Sequence, residues 1–267
     1  MHPRTLSLLL NTPLARGGFK TAHDSGPKEK HRAEIIAEVE ELKFRHINKA
    51  GKSTADAFED DPFINYMEDT PDAKPPPTRI YKVAYTFMFA HFIRRKLTYT
   101  INGGDASIIA SRAPETEGKP GPVDNISETF ISILVKALQT ISSPEQKKRR
   151  KEVDAKLKVL LEKFVKDRAE KMFYVDMLAT APACQGRGYG GMLIETVTRQ
   201  ADEQGRATWL LSSNINNTAF YNSHGFVAVG YLELGRDNPT WNKPPVISPL
   251  MIREPKAMVE AKKKVLG

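Results

Sequence analysis

Apolar residues recur along this chain with two different periods, and the period at each place predicts the element. The stretch "MFYVDMLAT", Met172–Thr180, is almost continuously apolar and of strand length, so it reads as a buried strand. "GRATWLLSS" holds a second strand, and "FVAVGYLEL" and "PVISPLMIRE" hold two late ones flanking a Pro- and Trp-containing loop, Gly235–Pro245. Leu97, Tyr99 and Ile101 alternate with polar residues before Asn102-Gly103-Gly104-Asp105, which predicts a β-hairpin. The helical period appears elsewhere. Leu193, Val197 and Ala201 make an i, i+4 row on a helix running to about Gln204.

Two further helices are expected at about 124–140 and 144–170; in the second, Val153, Leu157, Leu160, Leu161 and Phe164 keep an apolar face. "IYKVAYTFMFAHFI", Ile80–Ile93, predicts a buried helix, being too short to cross a membrane and followed by Arg94, Arg95 and Lys96. Nearer the start, Ile35, Ile36, Val39 and Leu42 predict a charged amphipathic helix over 28–50. Ser53 or Thr54 is the expected N-cap of the next helix, with Pro62 as a break, and "TPDAKPPPT" reads as a loop.

Composition changes this picture little. The 267 residues are 40% hydrophobic and 27% charged, enough for one sizeable core. The expected layout is a tail over 1–28, one domain over 29–255 with a helical insertion at about 124–170, and a basic tail over 256–267. One cysteine, Cys184, excludes an internal disulfide and suits a reducing compartment, so the expected location is cytoplasmic. Arg4, Arg16 and Lys20 with no acid before Asp24 leave a mitochondrial leader as the alternative. The net charge of +8 favours anionic partners, and much of it lies in the run that begins "KKRRK" at Lys147. That run reads as the solvated face of a helix and not as a nucleic-acid patch, because no aromatic residues interleave with its basic ones. The six histidines show no metal-ligand spacing, so no metal is expected; His224 is expected at a turn or on the surface.

The unusual stretch is "ATAPACQGRGYGGMLIETV", Ala179–Val197, in which Gly186, Gly188, Gly190 and Gly191 fall within six positions. A helix that starts at a glycine turn offers free N–H groups and the positive end of its dipole, and absent side chains let an anion reach them. Gly186, Gly188 and Gly191 satisfy the dinucleotide spacing G-x-G-x-x-G. Three features oppose that reading: five residues separate the strand from the first glycine, "TWLLSSN" brings no acid about 20 residues on, and no second nucleotide-binding half follows.

The other spacing is Gln-x-x-Gly-x-Gly, met by Gln185, Gly188 and Gly190, followed by Asn214, Tyr221, Gly225 and Phe226 as Asn-x6-Tyr-x3-Gly-Phe. This combination resembles the cofactor-binding core of the GNAT superfamily of N-acetyltransferases, in particular fungal GNAT-domain proteins of unassigned substrate. The resemblance is clear over Met172–Pro255 and weaker over "ADAFEDDPF" and the hairpin.

The resemblance implies an α/β GNAT fold: a mixed, mostly antiparallel sheet flanked by helices, with a splayed parallel strand pair that binds acetyl-CoA. The family's first strand, expected before "ADAFEDD", is not legible, and the charged helix stands in its place. By the same resemblance, Gln185, Gly186, Arg187, Gly188, Tyr189, Gly190 and Gly191 wrap the pyrophosphate, the backbone of Leu178 and Thr180 pairs with pantetheine, and Asn214 caps the helix carrying Tyr221 and reaches pantetheine. Tyr221 is the expected general acid. Asp176 is the candidate base, since Tyr174 stands where some members have a glutamate and Asp176 shares its strand face. The implied activity is direct transfer of acetyl from acetyl-CoA to an amine of a small molecule or peptide. The acceptor site is expected between 60–77, the hairpin and the Gly235–Pro245 loop. The alternative is a CoA-binding module without turnover.

Overall fold

A computed structural model describes residues 37–73, 78–118 and 121–258; the expected tail over 1–28 and most of the basic C-terminal tail lie outside them. The seven strands of the described residues form one sheet: β1 (Val39–Glu41), β2 (Leu97–Ile101), β3 (Ala106–Ser111), β4 (Phe173–Thr180), β5 (Thr208–Leu211), β6 (Val227–Leu234) and β7 (Val246–Arg253). Their order is β1-β2-β3-β4-β5-β7-β6. Every neighbouring pair is antiparallel except β4–β5, which is parallel.

Seven α-helices accompany the described strands: α1 (Ile47–Ala57), α2 (Pro62–Glu68), α3 (Thr78–Arg95), α4 (Pro122–Ile141), α5 (Pro144–Phe164), α6 (Tyr189–Glu203) and α7 (Thr218–Ser223). The strand period of two sorts the strand residues between two faces. On one face Ile108, Phe173, Val175 and Met251 pack under Leu193, Ile194, Val197 and Ala201 of α6. On the other, Ile109 and Met177 meet α1, α3 and α4, while Leu232, Leu234 and Val246 meet α2 and α5.

The N-terminal third corrects the sequence reading. Within the charged segment Val39–Glu41 form β1 and not a helix, and the helix α1 begins only at Ile47; Val39 pairs opposite Ile101 and packs on the α6-side core. This is the edge strand that the pattern hid. A three-residue strand carries almost no period of its own, and pairing with β2 decides the conformation. Ser53 and Thr54 are not caps but lie inside α1, where the Thr54 hydroxyl donates to the Ala50 carbonyl at 2.8 Å. Asp61 caps the next helix instead, accepting from the N–H groups of Phe63 and Ile64 at 3.0 Å each, with Pro62 in the first turn.

Candidate active site

The β4–β5 ladder holds for two residue pairs, Phe173 with Thr208 and Tyr174 with Trp209. β4 then continues to Thr180 with only β3 beside it. The rings of the last pair, Tyr174 and Trp209, stack 4.2 Å apart. The N–H of Ala181 donates to Asp105 on the β3 side, so strand alternation turns the N–H groups of Leu178 and Thr180 toward the resulting gap. Sheet-edge donors and acceptors left unpaired in this way are a template for an extended, amide-bearing ligand. The gap contains a cavity of about 70 Å³ lined by Asp176, Leu178, Leu211, Ser213, Asn217 and Tyr221, among others.

At the top of β4 stands the glycine turn. Gly186 and Gly188 have φ of +75° and +78°, the left-handed region, and a Cβ on either would meet nothing within 4 Å. Gly188 occupies the N-cap position of α6 with no side-chain cap, and the first helical bond runs from the Met192 N–H to the Gly188 carbonyl. The N–H groups at the start of α6 therefore have no intrahelical acceptor and lie beside the exposed, side-chain-free backbone of Gly186 and Gly188, a cradle fit for a pyrophosphate. Gln185 donates to the Thr180 carbonyl at 3.3 Å, and exposed Arg187 donates to the Ala183 carbonyl at 3.1 Å.

The four glycines divide by cause. A Cβ at Gly190 would stand 3.3 Å from the Phe220 ring, and one at Gly191 would stand 3.1 Å from the His224 ring. These two let α7 dock against α6, and His224, in the turn that ends α7 as expected, is half-buried with its ring against Phe220 and Gly191. Asn214 caps the short turn Ile215–Asn217 that leads into α7, accepting from the Asn216 N–H at 3.0 Å.

That docking sets Tyr221 in the gap. Its ring lies edge-on to Phe220 and Phe226, and no described residue hydrogen-bonds its hydroxyl. Burial first, and then the negative charge of Asp61, pushes the Tyr221 phenol up. Asp176 accepts from the ammonium of Lys96 and from the Ser111 hydroxyl at 2.8 Å. A second carboxylate, Asp61, is buried across the gap, and the Ser213 hydroxyl donates to its Oδ2 at 2.5 Å. Burial pushes the Asp61 carboxyl up, against the opposing pull of the Ser213 hydroxyl and the N–H groups of Ile64 and Phe63.

A profile of the acetyltransferase (GNAT) domain matches residues 157–228, from α5 through β4, the glycine turn and α7. Over that stretch the chain is similar to the acetyltransferase (GNAT) domain family. An uncharacterized N-acetyltransferase of Schizosaccharomyces pombe is 27% identical over 226 residues, covering 81% of this chain and 83% of the yeast protein. The fold is shared with arylalkylamine N-acetyltransferase 2 of Aedes aegypti (15% identical, TM-score 0.53, covering 82% of this chain and 99% of that one). It is also shared with an apo mutant of agmatine N-acetyltransferase (13% identical, TM-score 0.51, 82% and 99%).

The sequence reading missed Asp61 and Ser213. They lie in "EDDPF" and "LLSSN", where an acid before Pro62 reads as a helix cap, which it also is. Only the crossing of α2 over the end of β5 joins the two. The reading also missed a buried cluster between α2, α5 and the Gly235–Pro245 loop. Arg149, in the middle of the "KKRRK" run, is fully buried, with Nη1 donating to the carbonyls of Tyr66 (2.5 Å) and Asp69 (3.1 Å) and Nη2 to that of Thr240 (3.2 Å). It pairs with Glu145 at 3.1 Å and lies over the rings of Tyr66 and Trp241. One cation of α5 thus ties α2 to the Gly235–Pro245 loop. No cluster of metal-binding side chains occurs among the described residues, nor any helix long and apolar enough to cross a membrane.

Proposed function

We propose that the chain transfers acetyl directly from acetyl-CoA to a primary amine presented between α2, the hairpin and the Gly235–Pro245 loop. The observation that carries this reading is the early end of the β4–β5 ladder beside an uncapped glycine turn, with Tyr221 in the same gap. Acetyl-CoA, when bound, supplies the thioester carbonyl. The turn from Gln185 to Gly191 offers its N–H groups to the pyrophosphate, Arg187 adds positive charge, and Tyr189 and Asn214 flank the path. The edges of Thr180 and Leu178 pair with the pantetheine amides, and a gap-facing N–H at Leu178 stabilises negative charge on the carbonyl oxygen as the amine attacks.

The protons follow from the two carboxylates and the phenol. An ammonium must lose a proton before its nitrogen can form the new C–N bond. Asp61, raised by burial, accepts that proton through the Ser213 hydroxyl, while Asp176, held by Lys96, orients the incoming cation. As the C–S bond breaks, the sulfur takes a hydrogen bond and then a proton from Tyr221. Burial keeps that phenol protonated at neutral pH, so it acts first as a donor and ionises late. The single cysteine and the fold suit a cytoplasmic enzyme.

The test is calorimetric titration with acetyl-CoA, plus thiol release across a panel of aliphatic, aromatic and peptide amines. Wild type is expected to bind and turn over. Gly188→Glu, which puts a carboxylate on the cradle, is expected to stay folded and not bind. Tyr221→Phe is expected to bind normally and lose roughly 10²-fold in kcat. Wild-type binding without release on any amine would leave only a CoA-binding module, and absence of binding would remove the reading altogether.

A further inference from the structure

The helical insertion carries an apolar surface that the catalytic reading does not use. On α4, Val123, Ile126, Phe130 and Ile133 are 59%, 70%, 43% and 60% exposed, and Ala137 is exposed after them. Their spacing is 3, 4, 3, 4 residues, the seam of a two-helix coiled coil. Ile141 (57% exposed) and Phe87 of α3 (49%) widen the stripe, with the Phe87 and Phe130 rings 4.8 Å apart. The helix does not need this stripe for its own docking. Ile131 and Val135, on another face, already pack against Met88, Phe89 and Phe92. Among the described residues, α4 is therefore apolar on two faces and partnered on one.

We infer that this stripe is a homodimer interface in which α4 packs antiparallel against α4 of a second copy. A two-fold axis between Phe130 and Ile133 sets each against the other across the interface and puts Ile126 opposite Ala137, so one stripe complements itself. The flanking positions suit a copy. On a helical wheel Asp124 and Glu128 point away from the stripe, and they are bound to Arg94 and Arg95 on α3. Lys136 is the one charged residue of α4 beside the seam, and an antiparallel arrangement carries the two Lys136 side chains to opposite ends. The size fits as well. The exposed apolar area is roughly 600 Å² per copy, so about 1,200 Å² in total, at the lower limit for a specific protein interface. A monomer rarely leaves a larger apolar patch uncovered. The pairing also braces the end of α3, where Lys96 holds Asp176.

Sedimentation velocity of the full chain over a hundredfold range of concentration tests this. Wild type is expected to shift from monomer to dimer with a micromolar midpoint. The doubly substituted Ile126→Glu, Ile133→Glu chain is expected to stay monomeric while keeping the wild-type circular dichroism and acetyl-CoA titration. A second, milder variant, Ile133→Ser, is expected to weaken the dimer about tenfold or more. A wild type that is monomeric throughout overturns the inference, as does a dimer untouched by either variant. A monomer whose thermal midpoint falls on substitution overturns it too, because the stripe would then be covered by other residues of the same chain.

Discussion

The Ser213 hydroxyl donates to Oδ2 of Asp61 at 2.5 Å across a sequence separation of 152 residues. Asp61 uses its other oxygen to cap α2, so the carboxylate that begins a helix also stands behind a hydroxyl lining the β4–β5 gap. The two duties separate on substitution. Asparagine also caps helices well, so Asp61→Asn is expected to keep α2 and to hold or raise the thermal midpoint at neutral pH. Because burial raises the folded carboxyl, its contribution to stability is present below the ordinary carboxylate range and is lost as pH rises through the raised value; removing the charge removes that loss. Activity is expected to fall by about 10² or more, since the proton acceptor is gone. Full activity in Asp61→Asn, measured by thiol release, would sink the proton path.

The glycine turn predicts two different phenotypes. Gly188→Ala forces a side chain into the left-handed region at a cost of about 1–2 kcal/mol, but into open space. Acetyl-CoA affinity is expected to drop with little change in the Tyr221 environment. Gly191→Ala instead presses on the His224 ring and shifts α7, so kcat is expected to fall more than affinity. Comparing calorimetry with steady-state kinetics separates the two.

Arg149 is expected to govern the acceptor side alone. Replacing it with Met leaves the carbonyls of Asp69 and Thr240 without this donor and Glu145 with only Lys148 at 3.9 Å as its cation, and breaking a buried pair costs about 3–5 kcal/mol. The thermal midpoint should fall by several degrees and Trp241 fluorescence should change. In molecules still folded, the KM for the amine should rise while acetyl-CoA affinity holds. An unchanged amine KM would detach this cluster from the acceptor site.

His91 gives the acid limb of stability. Burial, and then Lys96 and Arg95, pushes it down to about 4, and its Nδ1 sits 3.1 Å from the Ser127 hydroxyl between α3 and α4. The unfolded chain takes up this proton near pH 6.5, whereas the folded chain does so only near 4. Stability from the neutral ring is therefore present above pH 6.5 and lost as pH falls toward 4. Urea midpoints between pH 7.5 and 4 should decline less steeply in His91→Asn than in wild type. Equal slopes would rule out this contribution.

Much of this protein is legible along the chain because it is local. The buried run Phe173–Thr180, the Asn102–Asp105 turn and the Leu193, Val197, Ala201 row each impose their element over a few residues, whatever surrounds them. The glycine turn is legible for the same reason, since φ at Gly186 and Gly188 is a property of single residues. What the tertiary structure decided is long-range. β1 exists because β2 pairs with it, and Gly190 and Gly191 are small because Phe220 and His224 arrive from α7. Arg149 differs from its neighbours in "KKRRK" only because Tyr66 and Trp241 fold over it. Asp61 becomes more than a cap only where Ser213 meets it. A sequence pattern records which face a residue shows, and a distant partner leaves no period to read.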